Sequence, residues 1–305
     1  MNDTHQIVNK EDIEEEFKTL QDAICIALEE ADGKGKFRED RWERSGGGGG
    51  RTRVIENGTV IEKGGVNFSA VYGKTPERIL KALELEEADF FATGVSIVLH
   101  PISPMVPIIH MNVRYFEMDN GKYWFGGGID LTPHYVDKED ARYFHLALKD
   151  VCDRYDASFY SRFKNWADDY FYIKHRKETR GVGGIFFDHL SENTQLTKEQ
   201  VFSFVQEVGK SFAPIYTHFM KKNHSMAYGE QERYWQLLRR GRYAEFNLVW
   251  DKGTKFGLDT DGRTESILMS LPPEVKWVYD FVPEKHSKEQ QTLGLLKKGI
   301  DWVGE

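Results

Sequence analysis

The 305-residue sequence holds two cysteines, Cys25 and Cys152, too few for a disulfide framework or a cysteine-built metal site. Such scarcity fits a reducing compartment. No apolar run approaches the ~18 residues of a membrane span. The start, Met1-Asn2-Asp3-Thr4-His5, is polar and leads into an acidic amphipathic run, with no secretory signal. A cytoplasmic protein without a membrane span is expected. A basic excess is missing as well: the formal net charge of −8 argues against nonspecific nucleic-acid binding. The glycine clusters 46–50, 126–128 and 181–184 match neither the Walker pattern nor GxGxxG opening a helix after a strand. HExxH and His-x-His spacings are absent, as is the GxSxG elbow that would make Ser96 a nucleophile.

What is present is aromatic and mixed in pattern. Aromatics make up 13% of the residues, enough to fill a core or to wall an apolar pocket for a ring-shaped ligand. Apolar residues at three- and four-residue steps predict helices over 10–32, 137–155, 159–176, 197–222, 230–240 and 289–303. Thr75-Pro76-Glu77 is a further helix start, with Thr75 capping. Strands are expected at 95–100, 108–118 and 123–125, and again at 243–250, 254–258 and 266–271. Asn57-Gly58 marks a hairpin. The order lacks strict βαβ alternation, and no domain boundary stands out. One α+β domain over 1–305, with a mainly antiparallel sheet, follows.

Within the strand 108–118, residues Ile108, His110, Asn112, Arg114 and Phe116 share one pleat face. A group near its pKa, a two-way hydrogen bonder and a fixed cation suit an anionic substrate whose protons must move. The other reading is one solvated face of an antiparallel sheet. Arg51, Arg53, Arg263 and Lys252 lie in or beside glycine-containing turns, where guanidinium forks match carboxylates; surface salt bridging is the plainer account. Asp251 ends an apolar run and would either bind substrate N–H groups or cap the next turn. His100, His110, His145 and His175 occupy positions that could converge, although their spacing alone does not make a metal site.

The stretches 46–54 (GGGGGRTRV), 62–69 (EKGGVNFS), 94–101 (GVSIVLHP), 107–114 (PIIHMNVR), 124–133 (WFGGGIDLTP), 174–188 (KHRKETRGVGGIFFD), 245–258 (EFNLVWDKGTKFGL) and 262–273 (GRTESILMSLPP) stand in one order. In them the chain resembles the oxygen-dependent coproporphyrinogen III oxidases over nearly its full length. The resemblance implies an α+β fold with a large, flat, mainly antiparallel sheet between helical layers. It also implies a homodimer with residues 243–278 at the interface. The activity implied is oxidative decarboxylation of two propionates of coproporphyrinogen III to vinyls, giving protoporphyrinogen IX in heme biosynthesis. Molecular oxygen would be the oxidant, with no organic cofactor; a tetrapyrrole-binding protein without turnover is the alternative. Carried over residue by residue, His110 is the proton donor and Asp251 holds pyrrole N–H groups. Substrate contacts fall on Ser96, Asn112, Val113, Arg114, Asp261, Gly262 and Arg263. A divalent-metal site would fall on His100, His110, His145 and His175. Lys252 departs from the family's usual arginine, keeping charge while losing the bidentate fork.

Overall fold

The computed structural model describes residues 8–75, 80, 88–193, 195–259 and 262–304. Helix α1, Lys10–Asp32, buries Ile13, Phe17, Leu20, Ile24 and Leu28 on one side. The Asn9 side chain accepts from the Asp12 N–H at its start, and Gly33 ends it at φ 78°. The helix expected from Thr75-Pro76-Glu77 lies in a stretch, 76–87, that is outside the described residues apart from Leu80.

Six strands come next: β1 Arg38–Glu43, β2 Gly48–Glu56, β3 Ile61–Lys74, β4 Asp89–Pro101, β5 Ile108–Met118 and β6 Tyr123–Thr132. Helices α2 (Lys138–Asp153) and α3 (Phe159–Tyr170) separate them from the short β7 (Tyr172–Ile173) and β8 (Glu178–Thr179) and from β9 (Gly183–Leu190). All but β7 and β8 join in one antiparallel sheet, ordered β1-β2-β3-β4-β5-β6-β9. The chain then forms α4 (Lys198–Asn223), α5 (Glu230–Glu245), a π-helical turn (Phe246–Trp250), α6 (Lys252–Asp259), α7 (Thr264–Leu268) and α8 (Lys288–Leu295).

Alternation along the central strands makes two unlike faces. Val95, Ile97, Met111, Val113, Phe125 and Phe187 point one way, and they join the side chains of α1, α2 and α4 in the main core. Cys25 on α1 and Cys152 on α2 belong to this core and form no disulfide. On the opposite face Ser96, Asn112 and Arg114 are only half-buried. There α5 and α7 cover one end: Met269 and Tyr243 pack on Val98 and Ile108. Ser266 on α7 meets Thr52 at 2.6 Å and accepts from Asn67 at 2.7 Å through its carbonyl.

Several expectations need correction. Only Gly46 and Gly47 belong to a turn; Gly48–Gly50 pair within β2, where Trp42 of β1 lies across Gly50: a Cβ there would be 2.5 Å from the indole. Arg51 and Arg53 consequently turn to α1, where Arg51 bonds Gln21 (2.9 Å) and Arg53 pairs with Asp22 (2.7 Å), away from the polar face. The helix from Phe159 stops at Tyr170, and His175 sits in the β7–β8 hairpin. The last helix ends at Leu295, short of Val303.

The three strands expected across 243–271 are helical. The Phe246 N–H bonds to the carbonyls of Arg242 and Tyr243, so α5 runs on into the π turn. Phe246 is buried with Ala167, Phe171 and Phe186, and this packing overrides the strand preference of the aromatic and β-branched residues around it.

Candidate active site

His110 is the centre of the polar face. It stands between Val98 of β4 and Asp130 of β6 in one cross-strand row, and its Nδ1 lies 2.8 Å from Asp130 Oδ1. Asp130 is itself held by Arg180, whose Nε and Nη2 donate to its two oxygens at 3.1 and 2.6 Å. Arg180 is 3% exposed, lies 4.6 Å from the ring centres of Phe171, Tyr243 and Phe246, and donates from Nη1 to Asn247 at 2.9 Å. Burial raises the Asp130 carboxyl, but the Arg180 charge and His110 outweigh it, and the net direction is down. An ionised Asp130 fixes the proton of His110 on Nδ1, leaving Nε2 with no protein partner among the described residues.

The π turn (246–250) delivers Asn247 to Arg180 and Asp251 to the face. Asp251 Oδ1 accepts from the Tyr170 hydroxyl at 2.7 Å, and Oδ2 accepts from the Thr254 N–H and hydroxyl at 2.8 and 2.7 Å. Burial pushes this carboxyl up; the Thr254 and Tyr170 hydroxyls and the nearby His110 together bring it below the usual carboxylate range. Tyr170 is pushed upward by burial and by Asp251, so it stays a neutral donor, and its ring stacks 4.1 Å from Phe186.

Farther along β5, Arg114 donates to Asn112 Oδ1 at 2.9 Å and pairs with Asp188 of β9 at 3.0 Å, with about a third of its side chain exposed. Gly126 directly opposite makes room for it, since a Cβ there would be 2.7 Å from both Arg114 Nε and Asp188 Oδ1. The row Asn67–Ser96–Asn112–Gly128 crosses the middle of the face, so Ser96 and Asn112 are neighbours. Val113 sends its side chain, fully buried, into the opposite core. Arg263 lies at the far end of the face, paired with Asp40 of β1. Gly262 closes the turn after α6 through its N–H to the Gly257 carbonyl, 2.8 Å. Asp261 is outside the described residues. Lys252 begins α6 and is exposed.

The four histidines suggested for a metal are not brought together. His145 bonds the Tyr160 hydroxyl through Nδ1 and the Val182 carbonyl through Nε2, on the core side; burial lowers it to about 4. His175 uses Nε2 on Glu245 and Nδ1 on the Trp250 N–H. Neither ring has a lone pair to give. Among the described residues no three His, Cys, Asp or Glu side chains are grouped to hold a metal ion. Placed this way, the donor set does not fit such an ion.

Asp130, Arg180, Asn247 and Tyr170 were missed in the sequence. Asp130 was within reach: with the turn at Asp119-Asn120-Gly121, Glu117 pairs with Tyr123, and seven residues back along each strand sets Asp130 opposite His110. Arg180, Asn247 and Tyr170 arrive from separate elements, and no local pattern announces them.

A histidine oriented by a buried carboxylate, a second, half-buried carboxylate and a guanidinium share one sheet face, the set of groups that proton transfer on an anionic ligand requires of an enzyme. The chain belongs to the coproporphyrinogen III oxidase family: that family's sequence profile, described as Coproporphyrinogen III oxidase, matches residues 12–302. It is 50% identical over 310 residues to the oxygen-dependent coproporphyrinogen-III oxidase of Synechococcus sp. (strain CC9605), covering 94% of this chain and 85% of that protein. Against coproporphyrinogen-III oxidase 1, chloroplastic, of Arabidopsis thaliana, identity is 48% over 302 residues, 94% of this chain and 78% of that protein.

Proposed function

We propose that this chain decarboxylates two propionates of coproporphyrinogen III to vinyls, with molecular oxygen as oxidant, giving protoporphyrinogen IX. The observation that carries the residue assignment is the His110–Asp130 pair, 2.8 Å apart, on a polar face shared with Asp251 and Arg114. Asp251 is the acceptor for pyrrole N–H groups: Oδ2 already takes two donors from Thr254, whereas Oδ1, bonded only by Tyr170, keeps lone-pair capacity for another. Pulling on that proton leaves electron density on the pyrrole nitrogen and makes the ring a better electron donor to oxygen. His110, with Nδ1 occupied, handles protons at Nε2 as peroxide departs and the β-carbon loses hydrogen. Arg114 near Asp251 and Arg263 at the opposite end supply cations for propionates, and Ser96 and Asn112 supply hydrogen bonds between them. The Val113 contact in this reading is to its backbone, because its side chain faces the core.

Aerobic formation of vinyl product from coproporphyrinogen, followed chromatographically, tests the activity. His110→Ala with an unaltered pH–rate profile removes His110 from the chemistry, and Arg114→Ala with unchanged KM and kcat removes the clamp.

We further read residues 1–305 as one domain and the protein as a homodimer joined through 243–278. Leu248, Val249, Leu258, Trp277 and Val278 in that segment are 36–53% exposed, an apolar surface of the kind subunits bury. Val249→Asp should shift the sedimentation coefficient to that of a monomer. No described helix is long and apolar enough to cross a membrane. A cytoplasmic location is supported by the two unpaired cysteines.

A further inference from the structure

Behind His110, under α5, buried polar atoms accumulate without partners. Of nine such side-chain atoms among the described residues, seven lie here: His100 Nδ1, Thr132 Oγ1, His134 Nε2, Arg239 Nη2, Arg240 Nε and Nη1, and the Tyr243 hydroxyl. Their side chains are between 0 and 3% exposed. They share one compartment. His100 and Thr132 are two residues along β4 and β6 from Val98 and Asp130, the neighbours of His110. The α5 residues close over them: Arg240 donates to the Pro101 carbonyl at 2.8 Å, Trp235 to the His134 carbonyl at 2.6 Å, and the Tyr243 ring meets His100 edge-on at 5.1 Å.

The mixture of donors and acceptors identifies the occupant. His100 gives its Nε2–H to the Ser270 carbonyl and His134 gives its Nδ1–H to the Pro104 carbonyl, so each presents a lone pair from its other nitrogen. The arginine atoms are donors, and the two hydroxyls serve either way. An anion would satisfy the donors and oppose both imidazole lone pairs. Water satisfies all of them. Seven buried groups left dry are more than a marginally stable fold tolerates.

We propose that this compartment holds an internal water cluster and that the Tyr243 hydroxyl connects it to the His110–Asp251 edge of the site, as a proton supply. The need for protons rests on the proposed activity. Each step converts R–CH2–CH2–COO⁻, O2 and H⁺ to R–CH=CH2, CO2 and H2O2. Two electrons leave the propionate as its β C–H and its bond to carboxylate break, and oxygen takes them up with two protons. One of those protons comes from the β-carbon; the other must come from outside the substrate. A tetrapyrrole lying on the polar face shields that face from bulk solvent, whereas the cluster reaches it from beneath. Tyr243 is placed for this. Its ring lies 4.6 Å from Arg180, which holds Asp130, and both Asp130 and Asp251 act on its hydroxyl electrostatically. Tyr243 is a positioning residue here, acting through water.

Tyr243→Phe keeps the ring and removes only the hydroxyl. The expected result is an unchanged KM, a fall of about tenfold in kcat, a solvent deuterium isotope effect larger than in the parent, and release of the monovinyl, three-propionate intermediate. A parental isotope effect with no released intermediate overturns the relay. A crystal structure of the substrate-free protein tests the cluster independently: waters bonded to His100 Nδ1, His134 Nε2 and Arg240 support it, and a dry or anion-filled compartment overturns it. A protein that shows the waters but makes no vinyl product refutes the assigned activity, not the compartment.

Discussion

Replacing Asp130 by asparagine keeps the shape of the side chain and removes its charge. In the parent, both carboxylate oxygens are engaged by Arg180 and one also by His110, in a setting where Asp130 is 1% exposed. Asp130→Asn leaves the Arg180 guanidinium buried with Asn247 and three aromatic rings for company. Breaking one side of a buried ion pair costs about 3–5 kcal/mol, because the remaining charge is uncompensated. For a chain of this size that is a drop of roughly 5–8 °C in Tm. The pH dependence has a definite sign. The folded-state carboxyl is depressed, so its stabilisation is complete above the unfolded value of about 3.9 and is lost as pH falls through the folded value. The gap between parent and variant should therefore be constant from pH 5 to 8 and close only in stronger acid. Turnover should fall about 10²–10⁴-fold, because His110 loses the partner that fixes its tautomer. Calorimetry across pH together with vinyl formation by folded variant reads both effects. A variant with parental Tm and turnover within threefold would refute the claim that Asp130 orients His110.

Asp251→Asn should lower kcat about 10²–10⁴-fold at neutral pH, since an amide cannot take the proton or match a carboxylate as acceptor; steady-state kinetics on folded protein decides it. Gly126→Ala puts a methyl 2.7 Å from Arg114 Nε and should raise KM about tenfold while kcat holds, if the guanidinium contacts substrate in the ground state. Exhaustive chelation should leave turnover within twofold, because His145 and His175 have both nitrogens committed elsewhere. A chelated enzyme that regains activity only with one divalent ion would show that those networks rearrange.

Much of the fold was legible. The α1 stripe ends at its glycine, and the β5 alternation separates His110, Asn112 and Arg114 from Met111 and Val113 as the pleat requires. Legibility failed where long-range packing outweighed local preference. Tyr243–Trp250 reads as strand because its side chains favour one, yet Phe246 finds a closed aromatic cluster only if α5 continues. Gly48–Gly50 read as part of a glycine-containing turn because glycine is a poor strand former; Trp42 covering Gly50 supplies the missing surface. The site divides likewise. Residues on one strand could be grouped by parity, whereas Arg180 and Asn247, 67 positions apart, meet only through the tertiary fold.

Placing both cysteines in the main core also bears on survival during catalysis. An enzyme that releases peroxide is its own source of oxidative damage, and a thiol is vulnerable in its ionised form. Burial pushes Cys25 and Cys152 up to about 12, leaving roughly one molecule in a hundred thousand as thiolate at neutral pH. The sheet stands between them and the polar face, so under the proposed reaction a wall of backbone separates the place where peroxide would form from both thiols. Working lifetime under turnover should then be set by the exposed aromatics and methionines, with sulfur chemistry at the cysteines playing no part.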